Sequence, residues 1–266
     1  MTQKDGYAHG HAPSVVGHHA RRNAEDSAAF LVPYLRPGLT LLDVGCGPGS
    51  ITVDLAALVH PSRVLAIDVS DTAIAATRSA VAERGLDNVE AREGSVYELD
   101  GESFDVIYAH QVLQHLSDPV GALRKMRSAL TPEGMVAVRD SDYAGMLWAP
   151  RPPALDRWVA LYHEINDALG QQADSGRWLS TWVAEAGFTR STVTTSTWTH
   201  ATPEARRVWG NAWQRRVLDS SYAEHATGLG LATRAELEEI SAAFRWWAEQ
   251  PNAMWMVPHV EVIARP

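Results

Sequence analysis

The sequence predicts an α/β protein built on a doubly wound, mostly parallel sheet, and three observations carry that expectation. Short runs that are apolar on both faces recur at 39–44, 64–69, 104–109 and 135–138, as strands do when helices cover both sides of a sheet. Helical stretches lie between them, at 50–59, 71–84 and 119–130. The alternation is punctuated: the second helix starts behind Ser70-Asp71, an N-cap pair, and stops at Gly85, a C-cap. Strand–helix–strand repetition at this spacing places helices on both faces.

From the N-terminal end, residues 1–16 are rich in His, Gly and Ala without periodicity and read as an arm or lid. His9, His11, His18 and His19 match no structural zinc spacing and have no thiol nearby, so no metal is expected. Ala24, Ala28, Leu31 and Leu35 recur on one helical face and predict a helix over 17–35, stopped by Pro37-Gly38. After Asp140 the pattern changes. Leu155, Trp158, Val159, Tyr162 and Ile165 mark a helix, and Trp178, Trp182 and Val183 another that ends at Gly187. Residues 191–199 read as a strand, 203–218 and 234–248 as helices, the latter with Leu237, Ile240, Phe244 and Trp247 on one stripe. The segment 254–263 is a strand in which Pro258 demands an edge position or a bulge.

Composition narrows the function classes. A chain of 266 residues, 45% apolar, buries a core without help from disulfides, and its single cysteine, Cys46, permits none. No apolar run reaches the ~20 residues that span a bilayer, and a net charge of -9 opposes a phosphate backbone. The expectation is a cytoplasmic protein with no membrane and no nucleic-acid partner. Ten Trp stand against four Phe, and every Trp lies at or beyond Trp148, so two compositional regimes with two structural roles share the chain.

The chemistry concentrates in Asp43-Val44-Gly45-Cys46-Gly47-Pro48-Gly49-Ser50, where a strand enters Gly-x-Gly-x-Gly and then a helix. Glycines there let a ligand approach backbone at a helix N-terminus. A dinucleotide site fits this turn, as does glycine required by packing alone. Two details discriminate. The dinucleotide fingerprint has its third glycine one position later, and Asp43 would repel a pyrophosphate while favouring an ammonium or sulfonium. Asp68, closing the second strand, can accept both hydroxyl protons of a ribose, or simply cap the following helix. A ribose together with a cation points to S-adenosylmethionine.

The blocks LLDVGCGPG, AIDVS and FDVIYAHQVLQHLSDP, in this order, resemble the class I S-adenosylmethionine-dependent methyltransferases, within them the small-molecule group of ubiquinone and menaquinone biosynthesis. The resemblance covers roughly 39–138. It implies a Rossmann-like seven-stranded mixed sheet with the last strand antiparallel, an N-terminal helical lid and helical cap insertions. It implies further that Gly45, Cys46 and Gly47 line the methionine part of the cofactor, that Asp43 holds its amino group, and that Asp68 takes the ribose hydroxyls. Val69 would lie against the adenine and Gly94-Ser95-Val96 at its edge, where Ser95 replaces the family's usual Asp and leaves the Val96 N–H to serve. His110 and Gln111 would sit beneath the methionine moiety, and Arg21 is a candidate for its carboxylate.

On this reading 1–266 is one domain: an arm and helix at 1–37, a cofactor core at 38–140 completed by 171–199 and 252–266, and a helical cap at 141–170 and 200–251. Catalysis consists of holding an acceptor in line with the S–CH3 bond and excluding water, which yields S-adenosylhomocysteine. His115 is the first candidate base, or a satisfied histidine at the start of a loop, with Asp142 behind it. Asp140 and Asp142 are mouth residues or solvated loop acids. Trp148, Trp213 and Trp246 are candidate pocket residues for a lipophilic or aromatic acceptor, while Arg206, Arg207, Arg215 and Arg216 either pair an acidic substrate group or form a solvated face. The protein is expected as a monomer or homodimer. The competing readings are a cofactor-binding protein without turnover and a nicotinamide-dependent oxidoreductase.

Overall fold

The structure, a computed structural model, describes residues 22–266. It opens with one helical turn, α1 (Ala24–Ser27), set by a reciprocal capping box between Asn23 and Asp26. The long helix expected over 17–35 is not formed in the described part. α1 stops at Ala28 and a separate 3-10 turn, Val32–Tyr34, follows, with Pro33 lacking the N–H that a continuing helix would use. Ala28 and Leu31 are still fully buried, so the apolar spacing reported burial and overstated helix length.

Strands β1 (Leu41–Val44), β2 (Val64–Asp68), β3 (Val89–Glu93), β4 (Phe104–His110) and β5 (Leu130–Ser141) pair in parallel in the order β3-β2-β1-β4-β5. Helices α2 (Ser50–Val59), α3 (Asp71–Glu83) and α4 (Pro119–Ser128) join them. Adjacent strand residues serve opposite faces: Leu41, Val64 and Val106 pack against α1 and α2, while Leu42, Leu65 and Ile107 pack with Leu123 and Met126 of α4. The chain winds one way from β1 to β3 and the other way from β4, so the switch point lies at the carboxyl ends of β1 and β4.

A short strand β6 (Leu147–Ala149), then α5 (Pro153–Ala168), α6 (Ser175–Glu185), β7 (Arg190–His200), α7 (Pro203–Asp219), α8 (Ser221–Gly228), α9 (Arg234–Glu249) and β8 (Met254–Arg265) complete the chain. β8 lies antiparallel to β5, with β7 antiparallel on its other side. Among the described residues the sheet has eight strands, not seven, because β6 continues the line of β5 along β8. Pro258 is neither on an edge nor at a bulge. It faces Thr197 in register, and on its other side β8 pairs with β5 only from His259 and with β6 only up to Met256. Its carbonyl accepts from the Asp142 N–H at 3.1 Å within that gap, so the missing proline N–H falls where the ladder is already interrupted. α5, α7, α8 and α9 share an aromatic core with Trp158, Trp213, Trp247 and Trp255 fully buried, whereas Leu179 and Val183 of α6 pack on the sheet.

Candidate active site

At the end of β1, Gly45, Gly47 and Gly49 have φ of +69°, +55° and +80°, the left-handed region that glycine enters without penalty. Two of them are also required by packing: a Cβ on Gly45 would meet Val112 Cγ2 at 2.5 Å, and one on Gly49 the Thr77 backbone at 2.8 Å. A Cβ on Gly47 would meet nothing within 4 Å among the described residues. The turn is tied to α3 by Thr77, whose hydroxyl donates to the Gly47 carbonyl at 2.8 Å. Cys46 is buried against the same Thr77, and burial, reinforced by the charge of Asp43, pushes its thiol up. It stays protonated and fills the turn.

Two carboxyls flank this open backbone. Asp68 Oδ2 accepts the Gly47 N–H at 3.0 Å and Oδ1 the Ser70 N–H at 3.0 Å, which orients the group and leaves each oxygen a lone pair. It does not cap α3, since Ser70 does so by accepting from Ala73 N–H. Asp43 is buried and accepts the Thr52 hydroxyl at 2.6 Å. Burial pushes its pKa up to about 7, with Thr52 pulling it down and Asp68 pushing it further up. Val69, beyond β2, is 65% exposed despite being apolar. Opposite it, the Gly94 N–H donates to the Asp68 carbonyl, Ser95 accepts from the Tyr97 N–H, and the Val96 side chain is buried.

At the end of β4, Gln111 has φ +54°, the one non-glycine at positive φ among the described residues, a strained conformation held by its surroundings. Its N–H donates to the Arg139 carbonyl at 2.7 Å, its Oε1 accepts from Arg22 at 2.8 Å, and its amide donates to His259 Nε2 at 3.0 Å. Beneath it lies a buried polar layer that sequence reading missed. Arg139, fully buried, donates to Glu261 at 3.2 Å and Ser196 at 3.1 Å and lies over Trp198. His110 accepts weakly from Arg139 at 3.5 Å and packs edge-on to Trp198. Burial first, and then the Arg139 charge, push both His110 and His259 well below the usual imidazole range, so both are neutral. Its signal in the sequence was one charged residue beside an apolar run in each strand, Arg139 after 135–138 and Glu261 between Val260 and Val262.

The other sequence candidates separate. His115 closes the 3-10 turn Leu113–His115, is buried, and shares a 3.0 Å hydrogen bond with Gln114, whose Oε1 accepts from Ser141. Burial pushes its pKa down to about 3, which makes it a hydrogen-bonding group and a very weak base. Asp142 is not a solvated acid: both oxygens take a forked bond from Arg177 at 2.6 and 2.7 Å, and one also the Gly145 N–H. Asp140 is buried too, and burial raises its pKa well above the carboxylate range. Arg21, His18 and His19 lie outside the described residues; Arg22 is the described neighbour that reaches Gln111. Trp148 stacks on Trp255 at 4.6 Å and Trp213 packs against Trp158 at 4.5 Å within the buried aromatic core shared by α5, α7, α8 and α9. Trp246 is 45% exposed on α9 and is not brought together with them.

Residues 35–206 match the family model described as a methyltransferase domain. The chain is 27% identical to an uncharacterized methyltransferase of Schizosaccharomyces pombe, over 97% of this chain and 95% of that one. It is 28% identical to a probable methyltransferase of Aspergillus luteorubrus, over 98% of each. Phosphoethanolamine N-methyltransferase 2 of Haemonchus contortus, solved with phosphomonomethylethanolamine and S-adenosylhomocysteine, has the same fold. Its TM-score is 0.59 at 15% identity, over 96% of this chain and 58% of that one. With a glycine turn and two acidic strand ends at the switch point of such a sheet, the chain belongs to the methyltransferase domain family and is a class I S-adenosylmethionine-dependent methyltransferase.

Proposed function

We propose that the protein passes the methyl group of S-adenosylmethionine to a small molecule with a lipophilic or aromatic body, leaving S-adenosylhomocysteine. The observation that carries the cofactor assignment is the open backbone at Gly47 between the carboxyls of Asp43 and Asp68. The donor set suits the group: Asp43 for an ammonium, Asp68 for two hydroxyls, and the exposed face of Val69 for an adenine. Gly45, Cys46 and Gly47 would line the methionine part, Gly94-Ser95-Val96 the adenine edge through the Val96 N–H, and His110 with Gln111 the floor. When bound, the cofactor supplies a methyl already activated on a sulfonium.

The chain's own part is therefore positioning and the exclusion of water. With His115 so weakly basic and Asp142 engaged by Arg177, the reading favours an acceptor that needs no strong enzymic base, such as an acidic phenol or an activated carbon. The aromatic core in which Trp148 and Trp213 are packed also takes in Tyr143 and Met146, which directly follow β5, and this supports an apolar acceptor body. Calorimetry with S-adenosylmethionine and S-adenosylhomocysteine is expected to show one site per chain, weakened at least tenfold in Asp68→Ala. Absence of heat and of a melting shift with both ligands would contradict the proposal. Transfer of labelled methyl into a metabolite extract then identifies the acceptor.

A further inference from the structure

Helix α7 carries four arginines, and the structure divides them. Arg207 and Arg215 are exposed, and Arg206 is buried with its Nη1 donating to the Ala201 carbonyl at 2.6 Å and only its Nε without an acceptor among the described residues. Arg216 is different. It is 5% exposed, and its Nε and Nη2 are both sealed from solvent without meeting any acceptor among the described residues. Those two nitrogens share one edge of the guanidinium, the edge from which two parallel N–H bonds reach a carboxylate. The group lies over the Trp213 ring at 4.6 Å from its centroid, which fixes its plane and offsets part of the cost of burying it. A buried cation with unpaired donors is a costly state that a matching anion relieves.

Its place in the fold connects it to the strand ends. Trp213 meets Tyr162 edge-on at 6.2 Å, and Tyr162 stacks on Tyr143 at 3.9 Å. Tyr143 follows β5 and His115 follows β4; burial sets both pKa values, raising that of Tyr143 and lowering that of His115, and the Arg216 charge is near enough to act on each as a lesser, lowering influence. Arg216 thus stands on the cap side of the mouth formed by β4 and β5. The net charge of -9 gives an anionic substrate no general attraction, so a local cation is what such a ligand requires.

We propose that Arg216 anchors a carboxylate on the methyl acceptor, held two-pronged by its Nε–Nη2 edge with Trp213 behind it. This rests on the reading of the mouth as the acceptor site of a methyltransferase. The neighbouring α7 arginines do not share the role, since Arg207 and Arg215 face solvent, and Arg206 is held by the Ala201 carbonyl and leaves a single nitrogen, Nε, unpaired rather than a two-pronged edge.

The test is calorimetric titration of protein saturated with S-adenosylhomocysteine, using benzoate, cinnamate and 2-naphthoate, each paired with its uncharged amide. At least one carboxylate is expected to bind tenfold or more tightly than its amide. Arg216→Gln should bring that ratio near one at unchanged S-adenosylhomocysteine affinity, Arg216→Lys should retain part of it, and Arg207→Gln all of it. Equal binding of acids and amides, no binding by any acid, or a ratio that survives Arg216→Gln overturns the proposal. If Arg216→Gln does not fold, the wild-type ratio and its partial loss in Arg216→Lys decide. Failure of S-adenosylhomocysteine itself to bind would instead overturn the cofactor reading, so the two failures are distinguishable.

Discussion

On the proposed function, Asp43 links cofactor binding to pH. Its folded pKa of about 7 lies above the ordinary 3.8, so between those values the native state holds a proton that the unfolded state releases. The contribution of Asp43 to stability therefore falls as pH rises through that window and levels off above about 7, by at most about 4 kcal/mol. An arriving ammonium favours the carboxylate and reverses the penalty. Urea unfolding of the empty protein at pH 5 and pH 8 should show Asp43→Asn gaining on wild type as pH rises, while calorimetry shows it losing cofactor affinity. The two inner glycines of the turn should part company in the same pair of measurements. Gly45→Ala collides with Val112 and should lower stability by about 2–4 kcal/mol. Gly47→Ala meets no neighbour among the described residues and should lower stability by only about 1 kcal/mol, yet weaken S-adenosylhomocysteine more than tenfold. These residues were legible because each breaks a local rule: glycines where the backbone turns left-handed, and acids ending apolar strands. Arg216 was visible only as one arginine of four, since its burial depends on how α7 meets the cap.

Among the elements, β5 and β8 carry the clearest energetic coupling. Arg139 and Glu261 are direct register partners on these antiparallel strands, both buried, with Thr194 and Ser196 of β7 supplying hydroxyl bonds to Glu261. Glu261→Gln would leave the guanidinium buried without its counter-charge and should cost about 3–5 kcal/mol in urea unfolding. Replacing both by apolar residues of similar volume should cost much less than the sum of the single changes. Each charge is visible in its own segment, but two residues 122 apart in the chain cannot be read as a pair from either segment, and the apolar run that marks β5 stops at Val138, one residue short of Arg139. The strands apolar on both faces were readable. β3 was not, because it is an edge strand in which only Ala91 is buried, and neither was the short β6. α8 was hidden for a different reason: Ser220 both ends α7 and caps α8 by accepting from Tyr222 N–H, so one residue stands between two helices with no loop to mark them.

At the scale of the molecule, the concentration of Trp beyond residue 148 suggested two roles, and the structure shows the strand that spans both. Trp255 and Val257 of β8 belong to the aromatic core of the cap, while Val262 and Ala264 of the same strand belong to the core of the sheet. We propose that cap and sheet unfold together. Trp fluorescence, which reports mainly the cap, and far-UV circular dichroism, which reports all helices, should give coincident thermal transitions, and two resolved midpoints would contradict this. The same strand has a consequence for biosynthesis. β8 leaves the ribosome after everything from 22 to 253, yet it is an inner strand that pairs with β5, β6 and β7. Until it emerges, the outer edge of β5 is unpaired, Arg139 lacks its counter-ion and the cap core lacks Trp255. The nascent chain must therefore wait as an incomplete, edge-exposed intermediate, the kind of species chaperones bind.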